Sequence, residues 1–130
     1  MRTHFAEVLA REDARLSGVV DRAMLACWRR DVVQELMTPR SPYALALRPA
    51  ADMREQADFL DRWRELIAGT VERLLRSETQ CPSVDAHRTA VLILAALRGG
   101  RTLAQLAGDR RPLDAALDLA LLPLLSVGAI

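Results

Sequence analysis

Residues 91–125 read VLILAALRGGRTLAQLAGDRRPLDAALDLALLPLL. Residues 90–97, which include the start of this stretch, are apolar on every side of a helix. Toward the other end, residues 113–125 are polar only at Asp114 and Asp118, which lie four residues apart and therefore share one helical face. This pattern predicts two helices that are apolar over most of their circumference.

A helix that is apolar all round must be covered all round. Three other helices in a chain of 130 residues cover one side of such a pair, and monomers seldom expose a broad apolar surface. We therefore expect a homodimer held through the last two helices. Gly99 and Gly100 support this, because each costs up to roughly 1 kcal/mol inside a helix, and close approach of another helix would compensate. The alternative is that they break the helix in two. The residues expected at the dimer interface are Leu94, Gly99, Gly100, Leu103, Leu117 and Leu121.

Apolar residues recur at helical spacing in the rest of the chain as well. The predicted helices span about 4–16, 20–37, 53–77, 84–107 and 112–125, with a short helical turn at 43–47. Pro39 and Pro42 end the second helix, because proline cannot continue it. We therefore predict an all-α domain over residues 1–130, a bundle of about five or six helices.

Residues with side-chain oxygens stand where the predicted helices begin. Thr3, Asp52 and Ser83 are expected as N-caps, and Glu55 completes a capping box with Asp52. Asp85 is expected in the first turn after Ser83, where the helix dipole favours an anion.

The composition favours helices and argues against several classes of protein. The chain holds 21 Ala and 22 Leu, both strong helix formers, and only 4% aromatic residues. Its 18 basic residues, all Arg, are offset by 17 acidic ones to a net charge of +1, which argues against a protein that binds nucleic acid over its whole surface. No run of five like charges supplies a local basic patch. The longest apolar run, Ala90 to Leu97, is far below the roughly 18 residues that cross a bilayer. Since no signal peptide opens the sequence, we expect a cytoplasmic protein without membrane contact.

Sequence motifs for catalysis, cofactors and metals are missing. The chain holds no GxSxG, Walker glycine loop, GxGxxG or HExxH motif, so we expect neither an enzyme nor a cofactor. Cys27 and Cys81 stand alone, and we interpret them as small apolar residues. Arginines are interleaved with an acidic series on the helix over 53–77, which favours a solvated face over a metal site. That series is Glu55, Asp58, Asp61 and Glu65.

Large aromatic side chains are concentrated in the second and third long helices and the segment between them. The set is Trp28, Tyr43, Phe59 and Trp63. Two interpretations are open: the rings line an apolar pocket for a flat or greasy small molecule, or they fill the core of a small helical domain. In the first, Met24 adds a deformable apolar side chain and Arg98 a polar contact.

Three segments together resemble a known family. They are SPYALAL at 41–47, FLDRWRELIAGTVERLL at 59–75, and the stretch at 91–125 quoted above. The arrangement resembles the C-terminal effector-binding and dimerisation domain of TetR-family transcriptional regulators, in particular the LmrA/YxaF-like branch. Two features depart from that pattern: Ser41 stands where the branch usually has Cys, and the helix-turn-helix that normally precedes the domain is missing.

The resemblance implies a homodimer with a four-helix interface and a cavity in each subunit for a hydrophobic effector. It places Met24, Trp28, Tyr43, Phe59, Trp63 and Arg98 at the ligand. Effector binding would shift the spacing of two DNA-reading heads, so DNA contact needs a helix-turn-helix that this chain does not contain. Two further hypotheses stay open: a stand-alone helical protein–protein interaction module with no ligand, and, with less support, a small enzyme on a helical scaffold.

Overall fold

Six helices make up the chain in a computed structural model that describes residues 3–49, 52–76 and 85–125. They are α1 (Thr3–Ser17), α2 (Arg22–Met37), α3 (Pro42–Ala46), α4 (Met53–Arg76), α5 (Ala86–Ala107) and α6 (Arg111–Leu125). The described ranges contain no strand. The prediction of an all-α bundle of five or six helices is confirmed.

Short polar side chains fix where the helices begin. Asp21 caps α2 by accepting a hydrogen bond from the Met24 N–H at 2.9 Å. At the start of α4, Asp52 Oδ1 accepts from the Glu55 N–H at 3.0 Å, as the capping box predicts. Asp85 caps α5 rather than lying in its first turn, because its carboxylate accepts from the backbone N–H groups of two residues inside the helix. The cap predicted at Ser83 lies outside the described residues.

The α5 helix packs on α4 along one side and on α6 along another. Gly108, in the left-handed conformation at φ 66°, ends α5 and turns the chain into α6. The α1 helix packs on α3 and α4, and α2 contacts α3, α5 and α6. Arg29 connects α2 to α6, because its guanidinium pairs with Asp114 at 3.2 Å and with Asp118 at 2.8 Å on α6.

The α5 helix runs through the Gly99–Gly100 pair without a break, so the alternative of two separate helices is wrong. A Cβ at Gly100 would lie 3.0 Å from the Cα of Leu113 and 3.0 Å from its Cδ1. Glycine at this position therefore lets α5 and α6 of one chain approach closely, and its neighbour is not a second subunit. Gly99 has nothing within 4 Å of the corresponding point.

Leu117 and Leu121 also belong to the core of their own chain. Both side chains are fully buried among the described helices, so neither is available to a second copy. Their predicted place in a dimer interface is wrong, because the inner side of α6 packs on α5 before any partner is added.

By length and composition alone, α5 could cross a membrane, with a mean hydropathy of 1.3 over an 18-residue window. A core helix of a soluble bundle passes the same test. One face of α5 is buried between α4 and α6, and 39% of that window is buried.

Candidate functional site

Glu12 lies at the centre of the aromatic side chains, and its carboxylate is fully buried. Trp28 Nε1 and Trp63 Nε1 donate hydrogen bonds to Glu12 Oε1 at 3.0 and 2.8 Å. Tyr43 Oη donates to Glu12 Oε2 at 2.9 Å. The four residues belong to α1, α2, α4 and α3, so one carboxylate ties four helices together. We call Glu12 and the rings around it the ring cluster; its rings are Phe5, Trp28, Tyr43, Phe59 and Trp63.

Four rings of this cluster, those of Phe5, Tyr43, Phe59 and Trp63, pack directly on one another. Phe5 stacks on Phe59 with 4.6 Å between centroids, and Phe59 lies 5.6 Å from Trp63. Tyr43 meets Trp63 edge to face at 5.9 Å. Aromatic pairs at these separations add roughly 0.5–1.5 kcal/mol beyond the area they bury. The cluster is therefore a packed core with a polar centre.

The prediction that these rings line a ligand pocket is wrong for Tyr43, Phe59 and Trp63. Each is 0% exposed, so no water-sized space touches it. Trp28 is 3% exposed, and Met24 is 44% exposed at the surface beside it. Tyr43, Phe59 and Trp63 therefore belong to the packed core, whereas Trp28 and Met24 line a groove of about 240 Å³ at the surface of α2.

Glu12 is the residue that the sequence analysis missed, although the sequence carries a signal for it. Apolar residues at 5, 8 and 16 mark the buried side of α1, and position 12 continues their spacing of three and four residues. A carboxylate in a buried helical stripe needs hydrogen-bond partners in the fold. The three nitrogen or hydroxyl donors among the predicted pocket rings supply them.

Burial raises the pKa of Glu12 above its usual value of 4.5, because desolvation disfavours the carboxylate. The hydrogen bonds from Tyr43, Trp28 and Trp63 and the nearby charge of Arg15 oppose that shift in part. Burial and the neighbouring Glu12 also raise the pKa of Tyr43, which therefore stays a hydroxyl donor. The partly exposed guanidinium of Arg15 donates a hydrogen bond to the Tyr43 Oη at 3.2 Å.

The raised pKa of Glu12 predicts that the folded state loses stability as pH rises. Below about 4.5 the carboxyl is protonated in both folded and unfolded chains, and the stabilising difference is fully present. It is lost as pH rises through the folded pKa, because the unfolded chain releases the proton first. Urea unfolding at a series of pH values from about 4.5 upward measures this loss. The free energy of unfolding should fall more steeply with pH for the wild type than for Glu12→Gln, which cannot titrate. Equal pH dependence of the unfolding free energy in the two proteins would contradict the raised pKa of Glu12. Groups that both proteins contain, such as Asp109, contribute equally and cancel in the comparison.

A larger open space lies next to Arg98, another of the predicted ligand residues. An apolar groove of about 340 Å³ runs between α4 and α5. Its lining residues are Ala57, Leu60, Asp61, Arg64, Val91, Leu94, Ala95 and Arg98. Leu94, predicted at the dimer interface, is 9% exposed and belongs to this groove. Of the predicted ligand residues, Arg98 lines this groove, which is larger than the one at Met24 and Trp28.

A second groove, of about 600 Å³, meets the first at Ala95 and Arg98. Its lining residues are Leu47, Pro49, Ala95, Arg98, Gly99, Thr102 and Leu103. Gln56, which is buried, holds the chain after α3 against this site: its Nε2 donates to the carbonyl oxygens of Ala46 at 3.0 Å and Arg48 at 2.7 Å. Gln56 Oε1 accepts from Arg98 at 3.5 Å.

The outer sides of α5 and α6 expose large aliphatic side chains. Leu106 and Leu119 are 81% and 73% exposed, and the others are more than half exposed. We call these residues the apolar face: Leu92, Leu103, Leu106, Leu119 and Leu122. Leu103, predicted at the dimer interface, lies on it, and Gly99 lies on α5 between Leu92 and Leu103 with open space above it.

Among the described residues, the remaining cysteine and acidic side chains form no site for chemistry. Within the described ranges no cluster of His, Cys, Asp and Glu could hold a metal ion. The acidic series on α4 is mostly exposed, with Asp61 paired to Arg64 at 3.2 Å. Cys27 is a free thiol that is exposed rather than buried, because the buried side of α2 is formed by Leu25, Trp28 and Val32. Cys81 lies outside the described residues.

Compared with protein-family models, with curated proteins and with solved structures, the chain has no significant match.

Proposed function

We propose that this chain is the dimerisation and effector-sensing domain of a TetR-like transcriptional regulator, in which α5 and α6 pair with the same helices of a second copy. The apolar face carries this proposal. Five leucines that are more than half exposed lie on two neighbouring helices, and monomeric proteins seldom leave such a patch in water. A second copy supplies an equivalent face with twofold symmetry, the commonest arrangement of soluble oligomers.

Effector sensing is assigned to the two grooves at Arg98 rather than to the ring cluster. The grooves are lined mainly by aliphatic side chains, with charged groups at Asp61, Arg64 and Arg98, the combination typical of sites for small organic molecules. Gly99 and Leu103 line one groove and also lie next to or on the apolar face. A molecule bound there would therefore change the surface offered to the second copy, which couples binding to dimer geometry.

An exposed leucine on the apolar face should control self-association. Leu119→Arg is expected to raise the dimer dissociation constant at least tenfold, about 1.4 kcal/mol, because a charge would have to be desolvated between two apolar helices. Leu119 is 73% exposed in the single chain, so the stability of the monomer should change little. Sedimentation equilibrium over a range of concentrations gives the constant.

Met53→Arg is the matched control, because Met53 is 77% exposed at the start of α4 and lies away from the apolar face. It should associate as the wild type does. A wild-type chain that stays monomeric at about 100 μM, roughly the concentration at which a 5.5 kcal/mol interaction half-assembles, would contradict the proposal. A dimer that is equally weakened by both variants would place the interface elsewhere.

The alternative function, a helical protein–protein interaction module with no ligand, rests on the same apolar face. The two hypotheses differ in the protein that covers this face: a second copy of the chain in the first, and a different protein in the second. Under that hypothesis the chain stays monomeric by itself and the grooves bind no small molecule. Self-association together with binding at the grooves supports the regulator.

A further inference from the structure

Arg98 is the charged side chain of the two grooves that no other charge offsets. The first groove, of about 340 Å³, is also lined by Asp61 and Arg64, which pair with each other at 3.2 Å. Arg98 lines this groove and the second one, of about 600 Å³. Its guanidinium has no carboxylate of the described residues within ion-pair distance, and it donates to Gln56 Oε1 at 3.5 Å. Since a guanidinium carries five N–H donors, most of them are open to another group.

A buried amide positions both Arg98 and one wall of the second groove. Gln56 is 4% exposed, and its Oε1 accepts from the Arg98 guanidinium. Its Nε2 donates to the backbone oxygens of Ala46 and Arg48. The residues before and after Arg48 in sequence line the second groove. One buried side chain therefore holds the guanidinium and the adjoining wall in a fixed relation.

The two grooves follow α5 in opposite directions from Arg98. The first extends to Val91, seven residues earlier, which is about 10 Å at roughly 1.5 Å per helical residue. The second extends to Leu103, five residues later, which is about 8 Å. They meet at Ala95 and Arg98, and apart from the Asp61–Arg64 pair and one threonine their other lining residues are apolar. The charge of Arg98 therefore lies between two apolar spaces rather than at the end of one.

We infer that the two grooves together bind one elongated molecule whose central anionic group contacts Arg98 and whose two apolar arms lie along α5 on either side of it. A guanidinium presents parallel N–H donors that match the oxygens of a phosphate or carboxylate. Leu60 and Leu94 offer one arm an aliphatic surface in the first groove. Leu47 and Leu103 do the same for the other arm in the second groove. The arms contribute by leaving water and the anion by charge-assisted hydrogen bonds, so tight binding needs both.

This inference rests on the effector-sensing half of the proposed function and names the class of effector. It requires no second copy, because the residues that line both grooves belong to one chain. A chain that stays monomeric and still binds the two-armed anion would contradict the proposed dimer and support the site. A neutral or one-armed molecule that binds as tightly would overturn the inference and leave effector sensing in place.

The probes are titrated calorimetrically into the full chain. Dihexyl phosphate and dihexylacetate carry two arms and a central anion, methyl dihexyl phosphate carries the two arms without the charge, hexyl phosphate has one arm, and dimethyl phosphate has no long arm. We expect dihexyl phosphate or dihexylacetate to bind at least about tenfold more tightly than each of the other three. The tighter of the two identifies the anionic group. Absence of binding by both would overturn the inference, whereas sedimentation of the same chain tests the dimer separately.

Arg98→Met tests the charge between the grooves. It should lower the affinity for the tighter two-armed anion about tenfold and leave the affinity for methyl dihexyl phosphate unchanged, because the apolar stem of the side chain is kept. Arg98→Lys, which keeps the charge and loses the planar fork, should bind the anion with intermediate affinity. Arg62→Met is the matched control, because Arg62 is exposed on α4 and lines neither groove. Wild-type affinity for the anion in Arg98→Met would overturn the inference.

Two bulky substitutions test whether one molecule spans both grooves. Ala57 lines the first groove alone and Thr102 the second alone, and both are exposed, so Ala57→Trp and Thr102→Trp each fill one groove with the fold retained. The tighter two-armed anion should lose about fivefold or more in affinity in both variants, because each removes the space for one arm. Hexyl phosphate, with a single arm, should keep its affinity in at least one of them. Wild-type affinity of the two-armed anion in either variant would show that a single groove holds it.

Discussion

Glu12→Ala is expected to lower the free energy of unfolding by about 3 to 5 kcal/mol, a large part of the stability of a small domain. The substitution leaves the indole N–H groups of Trp28 and Trp63 and the Tyr43 hydroxyl without their acceptor in a site that water does not reach. Each buried donor that loses its partner costs roughly 1–3 kcal/mol. The removal of the desolvated carboxylate returns part of that cost, and the space left behind adds to it.

Glu12→Gln is the matched variant. Its amide oxygen can accept from both indoles in place of Oε1, and its NH₂ can face the Tyr43 oxygen in place of Oε2. We therefore expect it to retain most of the wild-type stability in urea unfolding at neutral pH. Equal losses in the two variants would show that the charge of Glu12, and not its acceptor geometry, holds the ring cluster together.

The position of Glu12 explains why the ring cluster belongs to the core. Four helices from separate parts of the chain meet at one carboxylate, so a ligand entering among the rings would have to break hydrogen bonds on which α1, α2, α3 and α4 all depend. The grooves at Arg98 lie outside this network. Binding there leaves the packed half of the bundle intact and acts on α5, whose outer side belongs to the apolar face.

Local features of the fold could be predicted from the sequence because they depend on neighbouring residues. The apolar stripe of α4, with Phe59, Trp63 and Ile67 on one side, predicts both the helix and its buried face. The capping oxygen of Asp52 predicts where α4 begins. The predicted start of α4 at residue 53 is confirmed, and its predicted end at 77 lies outside the described residues.

The pairing of faces could not be predicted in the same way. The apolar residues of α5 surround the helix, so their spacing does not tell which side meets α6 and which side stays exposed. The spacing therefore predicts Leu117 at a second copy, although its side chain packs within its own chain. The partners of Glu12 likewise depend on contacts between residues distant in sequence.

The two adjacent glycines of α5 should respond in opposite ways to the same substitution. Gly100→Leu is expected to lower the free energy of unfolding by about 3 kcal/mol, because even a Cβ at this position would lie 3.0 Å from the Cα of Leu113. The contact is with backbone, so α6 has to move outward to admit the side chain. That movement disturbs the interior packing of Leu113 and of the side chains that follow it on the same face of α6.

Gly99→Leu is the control at the neighbouring position, where nothing lies within 4 Å of the added Cβ. Leucine has a higher helix propensity than glycine by roughly 0.8 kcal/mol, so this variant should be more stable than the wild type at concentrations where the chain is monomeric. Because Gly99 lies between leucines of the apolar face, the added side chain should also weaken self-association by holding the second copy away. Chemical unfolding and sedimentation of both variants measure the two effects separately. Stabilisation by leucine at both positions would contradict the close packing of α5 on α6, and tight self-association of Gly99→Leu would show that the copies do not approach each other at Gly99.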